Sequence, residues 1–580
     1  MTATFFRTID PVIDLSENVA PKQIVTESPQ EFRIITYPST AFSQSYINWN
    51  IIPPNPQVVI ARYFRVQITF QVTVNATIKQ GVNQANVINT LYSGICQYPL
   101  HQCISNLTVQ LNNHAVTIRP TEIVPKLMYY VFDHETHMST MSTTAAYPDQ
   151  TLYYNESDTF VTSPFGSYGD SCDHVSRNSL PIVFMGAGNP TLDANNTQGN
   201  ATFKITICEP LIMSPLVFDK YWYRRPGFTM INNIIINMSI DPAAIQRIWR
   251  QSTGDLVTYN NVQVVFDQPS LLLYYKTLPT YIAPPNTLSY PFASIQNFVY
   301  QYSNQITPAQ PTFQLTTNTV QFQTIPHRII VSVTKSRQQL TFNDADSFVP
   351  ITNINITWDN KSGVLSTLTQ YDLYQICVKN GLKMSWANFS GQEIRLFNQL
   401  INKTFHGTSA PLALDFGTDI ALLNEDFPGK KGTWNFQITV TCVNNRTEAQ
   451  WLPQVDLIVI YTGKIDIVNA TVNQSVGIEP GAAITTLGKV SYPIDVDIYS
   501  GGKFDLGTLL AAIPGRLIKG IGSLLSGIFG GDKSEEPSTG FTAAYTPTPP
   551  PQAPVRSEIR LEDLSPSLIR QLKKLLRNTE

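Results

Sequence analysis

SNLTVQLNNHAVTIRPTEIVPKLMYYV, from Ser105 to Val131, and TNINITWDNKSGVLSTLTQYDLYQICV, from Thr352 to Val378, are written on one plan. Each opens with a strand alternating apolar and polar residues: Leu107, Val109 and Leu111 in the first, Ile354, Ile356 and Trp358 in the second. Each strand runs into a tight turn, Asn112-Asn113 or Asp359-Asn360, and then into a short helical stretch. Asn106 and Asn353 stand 247 residues apart, and so do Asn113 and Asn360. A period this long marks duplication of a whole domain, not a solenoid unit.

At 580 residues the chain is too long for one core. Two units of roughly 200 to 250 residues fit the size expected of large all-β domains. Period-two alternation dominates from about Ser45 to Tyr499. Val66, Ile68, Phe70, Val72 and Val74 fall on one face of a strand whose other face carries Arg65, Gln67, Thr69, Gln71 and Thr73. Trp434, Phe436, Ile438, Val440 and Cys442 repeat the pattern, as do Phe203, Ile205 and Ile207 and the run from Ile234 to Ile240. One face of each such strand packs into a core. Helical signals in the body are short: Thr121 to Phe132, Pro242 to Arg250 and Thr369 to Val378. Strands with almost no βα alternation predict an all-β fold of two tandem sandwiches with short helices in loops and a partly helical or disordered tail.

The boundaries follow from composition: an N-terminal arm over 1–40, a first sandwich over 41–275, a proline-rich, nearly uncharged linker over 276–296 and a second sandwich over 297–500. A Gly-rich amphipathic segment over 501–536, a Pro/Thr-rich linker over 537–557 and a basic helix over 558–580 complete the chain. In the first tail segment Leu509, Leu510, Ile513, Leu517, Ile521, Leu524, Leu525, Ile528 and Phe529 form one apolar helical face, suited to docking on protein or to a membrane surface. Pro514 and several glycines oppose that helix. In the last, Ser565 is the expected N-cap and Pro566 the first helical residue.

Only 14% of residues are charged, and a net charge of −3 offers no field to neutralise many phosphates. This argues against direct nucleic-acid binding by the body. Cys96, Cys103, Cys172, Cys208, Cys377 and Cys442 form no CxxC, and are expected to be reduced core residues of an intracellular protein. The N-terminal MTATFFRTIDPVIDLSEN lacks the plan of a signal peptide, and no apolar run reaches the roughly 18 residues of a membrane span. Catalytic signals are weak. Asp133-His134-Glu135-Thr136-His137 is not HExxH and reads as a solvated loop. The cluster Tyr221, Trp222, Tyr223, Arg224 and Arg225 reads as an interface or loop anchor. No catalytic residue, metal ligand or cofactor is expected.

The order of motifs resembles the double jelly-roll major capsid proteins of Polinton/Maverick elements and adintoviruses and, more distantly, those of virophages. The similar blocks are YPLHQCISNLTVQLNN from Tyr98, EPLIMSPLVF from Glu209 with GFTMINNIIINM from Gly227, and IPHRIIVSVTKS from Ile325. The stretch Trp358 to Gly391 and LALDFGTDIAL from Leu412 follow in the same order. The resemblance implies two eight-stranded jelly rolls per chain. Three chains then form a pseudo-hexagonal capsomer of an icosahedral shell, a virion protein made inside the host cell. It implies as partners the chain itself, minor and penton capsid proteins, and a maturation protease. Ile528-Phe529-Gly530-Gly531-Asp532 resembles the site cut by adenovirus-type proteases, between Gly531 and Asp532. Ile518-Lys519-Gly520-Ile521-Gly522 resembles its alternative form, with Ile521 and Gly522 at the cut. Two other readings stay open: a minor vertex or spike sandwich of the same virion, and a carbohydrate-binding β-sandwich protein.

Overall fold

The computed structural model describes residues 32–477 except 56–57, 80–92, 131–142, 147–148, 150–181, 188–190, 193–195, 219–226, 252–256, 278–286, 392, 399–400, 424–425 and 447. The principal strands of the first half are β1 Phe32–Pro38, β2 Tyr46–Ile51, β3 Arg65–Lys79, β4 Ile104–Leu111, β5 His114–Ile118, β6 Asn196–Pro210, β7 Ile234–Ile240 and β8 Ser270–Thr277. Those of the second half are β9 Thr287–Gln301, β10 Thr312–Thr316, β11 Arg328–Lys335, β12 Ile351–Trp358, β13 Lys361–Val364, β14 Leu412–Asp415, β15 Lys431–Val443 and β16 Pro453–Val468. In space the first half forms the sheets β1-β8-β3-β6 and β2-β7-β4-β5, and the second forms β9-β16-β11-β14 and β10-β15-β12-β13. Strand for strand the two orders are the same. That is jelly-roll connectivity, twice.

The duplicated stretches occupy matching places. β4 and β12 each lie beside the seventh strand of their own half and hand over to a short antiparallel partner. Asn112 and Asp359, again 247 residues apart, both adopt positive φ, 52° and 50°. Only short polar residues and glycine take that backbone at little cost, which is why Asn and Asp stand at the two turns. Leu107, Val109 and Leu111, like Ile354, Ile356 and Trp358, are buried. The alternation along β3 holds too: Val66 to Val74 at every second position enter the core. On the opposite face Thr69 bonds Thr206 at 2.9 Å and Thr73 bonds Thr202 at 3.0 Å. Such cross-strand pairs stiffen a sheet on the face that has no core.

Four boundaries differ from the sequence reading. The expected N-terminal arm over 1–40 already holds β1, Phe32–Pro38, which pairs along its length with β8 and so belongs to the first sandwich. The first helix covers Pro120–Leu127, and Tyr129 and Tyr130 beyond it are drawn to Phe348 and to the Pro411 carbonyl of the second sandwich. The helix expected from Pro242 ends at Ile245, because Trp249–Gln251 pairs with Ser93–Ile95. The expected linker is already strand from Thr287, where Leu288, Tyr290 and Phe292 alternate into the core. Pro291 is tolerated there because β9 is an edge strand of its sheet, paired only with β16 among the described strands. The third helix, Gln370–Lys379, has Thr369 as its cap, with Asp372 completing a capping box.

Candidate functional site: the joint between the sandwiches

A chain that charges only 14% of its residues spends many of them where its two halves meet. The joint begins at the first copy of the duplicated turn. Asn112 is held in its own half by the Asn232 and Asn233 backbone N–H groups and by the Met230 carbonyl. Its amide also donates to the Ala470 carbonyl at 2.7 Å, in the second half. Asn113 matches a peptide group: its Nδ2 donates to the Val472 carbonyl at 3.1 Å and its Oδ1 accepts from the Val472 N–H at 2.8 Å. His114 Nε2 bonds Gln474 Oε1 at 2.7 Å. The strand Thr471–Val476, paired to β16, is thereby pinned to the first sandwich.

Helix Pro120–Leu127 supplies the second contact. Lys126 Nζ donates to Asp456 on β16 and to the Glu122 carbonyl, with both side chains of the ion pair almost wholly buried. Burial pushes the Lys126 ammonium below its ordinary range, against the pull of Asp456. The Asp456 carboxylate is completed by Gln454 Nε2 at 2.8 Å. Arg337 reaches Thr121 and Glu122, and Asn297 on β9 donates to Glu122 at 2.6 Å.

A loop of the second sandwich, Thr341 to Phe348, enters the first. Arg250, 1% exposed, donates to the Asp344 carbonyl at 2.8 Å and to Asp346 Oδ1 at 2.9 Å. Gln102 Nε2 donates to Asp346 Oδ2 at 2.8 Å, and Asp149 accepts the Asp346 N–H. Behind this loop the Asp344 carboxylate accepts from Lys335 Nζ at 3.1 Å and from the Thr341 N–H at 2.8 Å, with Arg446 3.6 Å away. Burial opposes ionisation of Asp344, but Lys335, Arg446, the Thr341 N–H and Arg247 outweigh it and hold the carboxyl below its usual range. Apolar packing continues the joint: Tyr129 meets Phe348 edge-on at 5.5 Å, and Phe228 meets Tyr290 at 5.1 Å beneath the Arg62 guanidinium. Tyr290 donates to the Gly227 carbonyl at 2.9 Å, and the Ala293 N–H donates to Ser214 Oγ at 2.9 Å.

The first-sandwich side is itself anchored by a buried carboxylate. Glu209, at the end of β6, accepts from the Leu100 and His101 N–H groups, from Thr144 Oγ1 and from His101 Nδ1 at 2.7 Å. His101 Nε2 in turn accepts the Ile212 N–H at 3.1 Å, which fixes the ring proton on Nδ1. These bonds tie the helix Pro99–Cys103 and the residues after β6 into one rigid block.

Of the residues singled out by sequence, Cys172, the tail set from Leu509 to Asp532, the linker over 537–557, the helix over 558–580 with Ser565 and Pro566, the Asp133–His137 stretch and the Tyr221–Arg225 cluster lie outside the described residues. Cys96, Cys103, Cys377 and Cys442 are buried and Cys208 is half-buried, all as free thiols. Among the described residues no group of three or more His, Cys, Asp or Glu is placed to hold a metal, and no helix is long and apolar enough to cross a membrane. Sequence reading missed the joint altogether, apart from Asn112 and Asn113. Its one local signal is the concentration of charge at Arg247, Arg250, Arg337, Asp344 and Asp346 in a chain poor in charge.

What the arrangement does is mechanical: it fixes two like sandwiches side by side through buried, directional contacts. Removing one partner of a buried, hydrogen-bonded ion pair is strongly destabilising, so such contacts hold the geometry they are built into. Residues 9–273 match the model of the Sputnik virophage major capsid protein first domain, and residues 295–463 match that of the major capsid protein V20 C-terminal domain. The putative capsid protein V20 of Sputnik virophage is 24% identical over 470 residues, which cover 78% of this chain and 77% of that protein. A chain of the Sputnik virophage cryo-EM structure superposes with a TM-score of 0.72 at 21% identity, covering 88% of this chain and 99% of that one. The mavirus major capsid protein superposes with a TM-score of 0.62 at 13% identity, covering 85% and 100%. With the two domain models matched in tandem across its two jelly rolls, the chain belongs to the virophage family of major capsid proteins.

Proposed function

We propose that three copies of this chain close into a pseudo-hexagonal capsomer, the repeating tile of an icosahedral shell. The observation that carries this reading is the joint: two sandwiches of one strand order held side by side by a buried interface. A contact between unlike surfaces, repeated around an axis, generates a ring when the rotation closes. Three chains of two sandwiches supply six similar bodies, so a trimer fills a position with six neighbours. The role is structural rather than enzymatic. Light scattering on the purified full chain tests it: a stable particle of three 64.8 kDa chains supports the reading, and a monomer at micromolar concentration refutes it.

The finer assignment to the Polinton/Maverick and adintovirus type rests on the ordered motif blocks from Tyr98 to Leu422. Partners in the shell are neighbouring capsomers and minor and penton proteins. The tail adds two readings of its own. Cleavage after Gly531 or Ile521 leaves virion-derived protein ending there, whereas an intact mass for all 580 residues excludes it. The apolar face from Leu509 to Phe529 docks inside the shell on a capsid protein; vesicle leakage caused by the isolated segment points instead to a membrane.

A further inference from the structure

The duplication makes the joint a template for a second contact. In the first copy, helix Pro120–Leu127 has no exposed residue: the second sandwich covers it through Arg337, Asn297 and Asp456. In the second copy the matching helix, Gln370–Lys379, packs its inner face on its own sandwich with Leu373 and Cys377 buried. Its outer face is exposed. Tyr371 is 54% exposed and Val378 40% exposed, with exposed Gln375 between them. These three positions, four and three residues apart, form one stripe of the helix. Half-buried Tyr374 and Trp386 continue the apolar surface, their rings 5.5 Å apart and Tyr371 5.4 Å from Trp386. Nearby in the chain, the second copy of the turn is exposed as well. Asn113 is locked to Val472, but exposed Asn360 bonds only its neighbour Asp359 among the bonds the structure gives it.

The opposite partner surface is also duplicated. In the joint the second sandwich presents its first strand, β9, through Tyr290, Ala293 and Asn297. The same strand of the first sandwich is β1, and its Ile34 is 50% exposed. Each sandwich therefore carries one half of the contact within the chain and one half of a copy of it that is uncovered among the described residues.

We infer that the outer face of helix Gln370–Lys379, with the Asp359-Asn360 turn, is covered by the β1 side of the first sandwich of a second copy of this chain. It continues, from one chain to the next, the interface that already joins the two halves of one chain. The inference rests on the trimeric reading above and names the residues that would close the ring.

Two variants of the full chain test it from both sides: Tyr371→Asp with Val378→Asp, and Ile34→Asp. All three side chains are exposed in the single chain, so their replacement leaves the sandwich cores intact. Light scattering is expected to show a fall from three chains to one for each variant, while Val265→Asp, an exposed change on another strand, stays trimeric. Trimers that survive both variants overturn the inference and leave the trimer itself standing. A wild-type monomer overturns both. A second measurement needs no variant: hydroxyl-radical labelling of assembled wild-type protein. Tyr371 is expected to label more slowly than Tyr46, which is less exposed in the single chain at 40%. Tyr371 labelling as fast as Tyr46 or faster overturns the inference.

Discussion

Replacing Lys126 by Met tests the joint where its contacts are most deeply buried. The side chain is 6% exposed and its partner Asp456 1% exposed, so solvent screens the pair little. Met keeps the length and apolar stem of Lys but removes the ammonium, and leaves the Asp456 carboxylate with Gln454 as its remaining side-chain donor among the described bonds. Stranding one member of a buried ion pair costs about 3–5 kcal/mol. At about 1.4 kcal/mol per factor of ten, the opening equilibrium of the joint rises by roughly two to three and a half orders of magnitude. The double variant Lys126→Met, Asp456→Leu removes both charges and should recover most of that loss, because well-packed apolar residues replace such pairs at little or no net cost. Hydrogen exchange read at strand Thr471–Val476 and helix Pro120–Leu127 measures opening of the joint directly, with denaturant unfolding for the whole body. Equal loss in the single and double variants, or additive losses from Lys126→Met and Asp456→Leu, refutes the coupling.

Asn113→Ala removes both bonds to the Val472 backbone and is expected to cost about 1–3 kcal/mol, seen as faster exchange of the Val472 amide; unchanged exchange contradicts the pinning role. Glu209→Gln puts an NH2 group where the carboxylate accepts four donors, so a loss of roughly 3 kcal/mol or more is expected in urea unfolding, and a wild-type midpoint contradicts the anchor. Asp344 gives a pH signature. Its folded-state value lies below the ordinary 3.8, so its contribution is complete above pH 3.8 and lost as pH falls through the lowered value. The stability gap between wild type and Asp344→Asn should therefore be flat above that pH and close below it; a gap that widens in acid contradicts the assignment.

The parts of this fold that are legible in sequence are those decided locally. Alternation along β3 and β15 names the core faces because a strand's side chains alternate whatever its neighbours are. The turns at Asn112 and Asp359 are legible because positive φ narrows the choice of residue. The capping box at Thr369 and Asp372 is legible for the same local reason. Helix ends are less so: nothing near Tyr130 announces that its hydroxyl is bound by Pro411, 281 residues away. The joint is least legible of all, since Lys126 and Asp456 are 330 residues apart and each looks, in sequence, like an ordinary surface charge. The linker is shorter than its prolines suggest, because an edge strand needs no N–H on its open side and Pro291 therefore does not break it.

On the proposed function, duplication serves assembly: two like sandwiches per chain let three chains make six. Negative-stain class averages of the purified full chain test it most directly. A threefold particle with six similar lobes around a centre is expected. Two-lobed single chains, or rings with any other number of lobes, contradict it.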